Sequence, residues 1–303
     1  MNRLTIAETY DRVWPSPWVL PIFFTLVSLV AMAMGITIIV AVYKYFRKDM
    51  HIDIKLALIL TITDVLSGID FLVAAIFNYP PVNLYSKYTN LCIIAQVTGS
   101  VTFVASAIMV GVIALERCLL IVYNIELNDT YYWIMIAACF LFPVINSLLV
   151  IFTDSINLFT GGVFCHYDAQ TFTGKVAYIL MMIYMGTAVC VLCFSYTKIV
   201  LFRYNHSQRE QLELGLDPEK VRKDTKRTAI KLMSILIINV ATNIPYLVAQ
   251  ICGLIEYDLY SPKVAFFVIP WTGCVIIWNS FIFLGLHEEV FKKWKQVIGL
   301  KSE

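Results

Sequence analysis

Two groups of residues in this sequence could do chemistry where chemistry is costly. Asp64 lies within Leu56 to Tyr79, an apolar stretch that it shares with one other charged residue beyond the first turn, Asp70. Glu116 and Arg117 end the run from Tyr88 to Leu115, which carries no charge at all. An ionisable group at membrane depth is expected to have a partner or a function. For Asp64 the candidate partners are Ser106 and Asn279, and its alternative role is a protonated carboxyl that only ties helices together. Asp70 falls on nearly the opposite helix face, about 240° away at 3.6 residues per turn. It either lines an outer cavity or snorkels. His51, His166, His206 and His287 are scattered and read as ordinary polar residues. No spacing suits a zinc site, and no nucleophile or metal cluster suggests an enzyme.

These residues need elements to hold them, and the composition says which kind. The 303 residues carry a net charge of +2, are 59% hydrophobic and only 15% charged. A soluble domain has about 25% charged residues, so this balance excludes a disordered chain, a basic nucleic-acid binder and a simple cytosolic enzyme. The surplus apolar surface is expected to face a lipid bilayer. Uncharged runs long enough to cross it number six, and the Asp64 run makes seven. The expected spans are about 17–46, 53–79, 88–122, 130–153, 174–204, 221–255 and 263–286, in one domain over 1–303. Residues 287–297 alternate apolar and basic side chains and read as an eighth helix lying on the membrane surface. The fold class is all-α. Spanning strands would alternate with a period of two, and these runs do not. Gly215-Leu216-Asp217-Pro218 reads as a turn between helices five and six.

Basic residues orient the bundle. With the N-terminus outside, 18 of the 23 lysines and arginines fall on the inner side. This predicts a multi-pass plasma-membrane protein with its C-terminus in the cytoplasm. No cleavable signal peptide is expected, because the first run is too long and lacks a basic lead. The sequons at Asn128 and Asn205 then face the cytoplasm and should stay unmodified. Of eight cysteines, Cys92 and Cys165 fall on the oxidising side, where a bridge between them is allowed. The others read as small buried hydrophobes.

The chain resembles the rhodopsin-like (class A) G-protein-coupled receptors. Arg117 stands 25 residues after Cys92, the family's spacing between the helix-three cysteine and the arginine of its Asp/Glu-Arg-Tyr motif. Leu56-Ala57 through Asp64 resembles the helix-two pattern, Trp133 the central tryptophan of helix four, Tyr196 the helix-five tyrosine and Pro245 the helix-six proline. Asn279-Ser280-Phe281-Ile282-Phe283 is similar to Asn-Pro-x-x-Tyr. The departures are Cys118 for the motif's tyrosine, Ile36 at the helix-one asparagine, Asn243 for the helix-six tryptophan, Ala188 for the helix-five proline, and Ser280 and Phe283 in helix seven.

The resemblance implies an extracellular ligand and a heterotrimeric G protein as partners, with no nucleic acid. Glu116, Arg117, Tyr196, Pro245 and Asn279 would carry coupling. Arg117 would pair with Glu116 at rest, and a lock onto helix six would be weakened, since Thr225, beside Asp224, stands at the matching position. Asp64, Ser106 and Asn279 resemble an allosteric sodium site, to which Asn239 and Asn243 would add oxygens. Gly99, Ser100, Phe103, Tyr246, Gln250, Ile269 and Gly273 would line the ligand pocket and bring no fixed charge. Gly99 stands where amine receptors carry aspartate, which disfavours a biogenic amine. No lysine lies between Val264 and Leu286, so no retinal or other cofactor is expected. The competing reading is a seven-helix transporter or channel. Its signs would be inverted repeats, broken helix pairs and a chain of ionisable groups, and none is visible.

Overall fold

A computed structural model describes residues 5–48, 50–159, 162–207, 213, 217–255 and 261–300. Among them are seven helices long and apolar enough to cross a membrane: Val19–Phe46, Ile52–Asn78, Thr89–Tyr123, Asp129–Ile151, Phe172–Asn205, Ala229–Ile255 and Pro262–Leu286. They are called helices one to seven. Helix six extends back to Pro218, and Glu288–Val297 forms helix eight. The turn expected at 215–218 falls partly outside the described residues.

Helices this apolar gain nothing from hydrophobicity against lipid, so close packing decides how they associate. Gly35 and Gly68 show it at the contact of helices one and two. A Cβ on Gly35 would sit 2.4 Å from the Val65 side chain, and one on Gly68 3.2 Å from Met32. The inward face of helix one is therefore Ala31, Gly35, Ile38 and Val42, while Ile36 is half exposed. Gly35 takes the inward position, and Ile36, matched in sequence to the family's asparagine, faces outward. Trp133 also departs from its expected place. Helix four starts at the Asn128 cap, which makes Trp133 its fifth residue, half exposed, and not central.

Three helices are irregular where the cavity and the mid-membrane residues lie. Helix three takes a π-turn over Ser100–Val104. Helix seven breaks at Cys274, four residues after Pro270. Helix six carries Pro245, whose missing N–H opens the backbone ladder. One turn earlier, the Thr272 hydroxyl of helix seven donates to the Thr242 carbonyl at 3.2 Å.

Some structure was not expected from the sequence. A capped helix, Ile6–Asp11, precedes helix one, and the Tyr10 hydroxyl donates to the Asn78 carbonyl at 3.0 Å. Between helices four and five, β1 (Ile156–Leu158) pairs antiparallel with β2 (Cys165–Tyr167), in the register Asn157 opposite His166. This hairpin lies over one end of the bundle, where Cys92 and Cys165 are bonded. At the other end Val290 of helix eight is buried against Ile38, Val42 and Phe283, and the Trp294 indole donates to Thr37 at 2.9 Å.

Candidate functional site

At the disulfide end the helices line a cavity of about 80 Å³ that opens to the outside. The cystine fixes β2 to helix three, so Phe164, Cys165 and His166 form part of the wall. Gly99, Ser100, Phe103, Tyr246, Ile269 and Gly273 all line it. Gln250 does not. It accepts a hydrogen bond from Tyr178 and faces a smaller cleft between the hairpin and helices five and six. Helix two adds Asp70 and Phe71, helix one adds Phe24, and helix five adds Met181 and Met185. Of the two places open to Asp70, lining the cavity or snorkelling, it takes the first. The Thr102 hydroxyl donates to its Oδ2 at 2.8 Å.

His166 is no ordinary polar residue. Its Nδ1 accepts from the Tyr167 backbone N–H at 2.7 Å, so the neutral ring carries its proton on Nε2, 3.1 Å from the Tyr246 hydroxyl. The ring stacks on Tyr178 with centroids 4.8 Å apart. Burial pushes its pKa down to about 3, so it is uncharged.

Mid-membrane, Asp64 Oδ1 accepts from the Ser106 hydroxyl, and from the Asn279 amide at 3.2 Å. Asn279 also donates to Ser106 at 3.2 Å. Helices two, three and seven thus meet through three buried polar side chains. Asp64 Oδ2, Asn279 Oδ1, Ser280 Oγ and Asn243 Oδ1 are buried without a hydrogen-bond partner. The Asn239 and Asn243 amides turn back onto the carbonyls of Ile235 and Asn239.

At the far end, Arg117 Nη2 lies 3.0 Å from Asp53 Oδ2 and 3.1 Å from His287 Nε2. Its Nε is 3.7 Å from Glu116 Oε2, and neither of those atoms has a hydrogen bond. The expected pairing with Glu116 is therefore not the close one. Neighbours on a helix point about 100° apart, so the guanidinium reaches across to helix two instead. Since the arginine donates, His287 accepts at Nε2 and holds its proton on Nδ1, which faces Asp53 Oδ2 at 3.8 Å. Burial first, and the Arg117 charge second, lower the His287 pKa. Tyr196 is buried in the core shared by helices three and five. The side chains of Asp224 and Thr225 lie outside the described residues. Sequence reasoning missed Asp53 and His287, because each sits in a polar stretch at a helix end where charge is unexceptional.

Seven spanning helices, a cystine tying helix three to the loop after helix four, and an arginine closing helix three define a seven-transmembrane receptor. The model of the family described as 7 transmembrane receptor (rhodopsin family) matches residues 19–282, and the chain belongs to that family. The crystal structure of squid rhodopsin is similar in fold, with a TM-score of 0.72 at 15% identity, over 98% of this chain and 87% of that one. No curated protein sequence matches the chain.

Proposed function

We propose that the chain is a plasma-membrane receptor that binds an extracellular ligand in the cavity at the disulfide end. It activates a heterotrimeric G protein at the arginine end. The observation that carries this is the Arg117 contact. A guanidinium held by groups from helix two and the start of helix eight, with Nε left unsatisfied, can exchange partners. A ligand that binds one bundle arrangement better than another would shift that exchange. Pro245, with Thr272 holding the neighbouring carbonyl, supplies a place for helix six to bend. The excess of basic residues at the arginine end supports an N-terminus on the outer side. With no lysine between Val264 and Leu286, the ligand is held without a Schiff base there. The test is a ligand screen read by nucleotide exchange on several G-protein families. Substrate accumulation without any exchange would favour a transporter.

We also propose that Asp64, Ser106 and Asn279 hold sodium. Support comes from the orphaned oxygens Asp64 Oδ2 and Asn279 Oδ1, since a hard cation prefers such oxygens and offsets the cost of the buried carboxylate. Sodium should lower agonist affinity in the wild type, and Asp64→Asn should remove that dependence. Agonist affinity indifferent to sodium in the wild type would leave the cluster a packing contact only.

A further inference from the structure

We propose that the cavity recognises an organic cation, an aryl-substituted amine or ammonium, whose charge pairs with Asp70 while its ring lies among Phe71, Phe103 and Phe164. The proposal rests on reading the cavity as the ligand site. Three observations carry it.

The first is the carboxylate. Asp70 lines the cavity from helix two, and its hydrogen-bond partner is the neutral hydroxyl of Thr102. Among the described residues, no lysine, arginine or histidine forms an ion pair with it. The lining includes no lysine or arginine, and its one histidine, His166, is neutral. The wall therefore holds one acidic group and nothing basic to balance it.

The second is the aromatic wall beside that group. Phe71 follows Asp70 and meets Phe103, Phe164 and Phe24 at centroid distances of 5.5, 5.9 and 5.1 Å. Ring faces attract a desolvated cation, and aromatic surroundings are a recurrent way to hold ammonium groups.

The third is room. A Cβ on Gly99 would meet nothing within 4 Å, and the π-turn of helix three begins at the next residue. Space thus opens on the helix-three wall of the cavity that Asp70 also lines. The absence of an acidic side chain at Gly99 pointed away from amines. The structure puts a carboxylate into the same cavity from helix two.

Other ligand chemistries fit this cavity less well. An anion would meet Asp70 with no cation to compensate. A neutral ligand would expel water from the carboxylate and return nothing for its charge, a net cost in an apolar site. A cation turns that cost into a charge-assisted contact.

The test uses the full chain in lipid nanodiscs, with binding read by thermal shift in the absence of any G protein. The probes are 2-phenylethylamine, its N-trimethyl quaternary analogue and the uncharged 2-phenylethanol. Both cations should stabilise the protein with saturable dose dependence, and the alcohol should not. Asp70→Asn should weaken the cations by about tenfold or more, as expected for loss of a charge-assisted contact, and Asp70→Glu should keep most of their affinity. A fold check is retention of the Cys92–Cys165 bond in each variant. Equal binding of alcohol and amine, no response to either cation up to millimolar concentration, or an unchanged cation affinity in Asp70→Asn would overturn the proposal. Cation binding without nucleotide exchange would support it while counting against the receptor reading. Exchange driven only by uncharged ligands would do the reverse.

Discussion

Arg117 lies 3.0 Å from Asp53, while its sequence neighbour Glu116 is no closer than 3.7 Å to Nε. The arginine that ends helix three is therefore held by the first turn of helix two and by His287 at the start of helix eight. If that contact restrains the resting bundle, Asp53→Asn should release it. The pair is partly exposed, at 21% and 25% of the side chains, so screening keeps its worth to about 1 kcal/mol. Basal nucleotide exchange should then rise by about fivefold, the same energy expressed as a population shift. Glu116→Gln should do less. Unchanged basal exchange in Asp53→Asn membranes would mean that the contact is ornamental.

The cystine should matter for stability and for the cavity together. It joins positions 73 residues apart, with Cα atoms separated by 5.4 Å. Chain-entropy reasoning gives about 4 kcal/mol for a loop of that length. Cys92→Ser should lower the melting temperature and loosen the hairpin that carries Phe164 and His166. Thermal unfolding of wild type and variant under non-reducing conditions measures this. An equal melting temperature would show that the hairpin is held by its other contacts, such as Asn78 to the Val163 carbonyl.

His166 predicts a pH dependence with a definite sign. The folded ring takes a proton only near pH 3, whereas an unfolded one does so near 6.5. Between those values the unfolded state binds more protons, so stability is full above pH 6.5 and falls as the pH drops. The slope is at most about 1.4 kcal/mol per pH unit. Protonation would also cost Nδ1 its bond from Tyr167. His287 contributes with the same sign at the other end of the bundle. Melting temperatures at pH 7 and pH 5 should therefore converge partly in His166→Gln. An unaltered pH slope in that variant would remove His166 from the account.

The seven spans were legible because a bilayer demands long apolar runs, and the sequence can satisfy that demand in few ways. Asp64, Ser106 and Asn279 were legible for the same reason, since polar groups are conspicuous inside such runs. The hairpin was not, because three-residue strands carry too little pattern to be seen. Asp53 and His287 were hidden among other polar residues at helix ends. Gln250 was misplaced because facing inward is not the same as facing the cavity: Tyr178 holds it in the neighbouring cleft. Ile36 faces outward because close packing of Gly35 fixes the rotation of helix one, and a motif match does not contain that contact.

In the proposed function Arg117 couples the bundle to a G protein. The most direct measurement is nucleotide exchange in membranes holding equal amounts of wild type and Arg117→Ala, across several G-protein families. Nanodisc thermal shift reports folding in parallel. Exchange above background is expected in the wild type, and loss of most of it in Arg117→Ala with the melting temperature and the Cys92–Cys165 bond retained. Full exchange in Arg117→Ala would contradict the role given to this residue, and no exchange by the wild type with any G protein, liganded or not, would contradict the receptor reading itself.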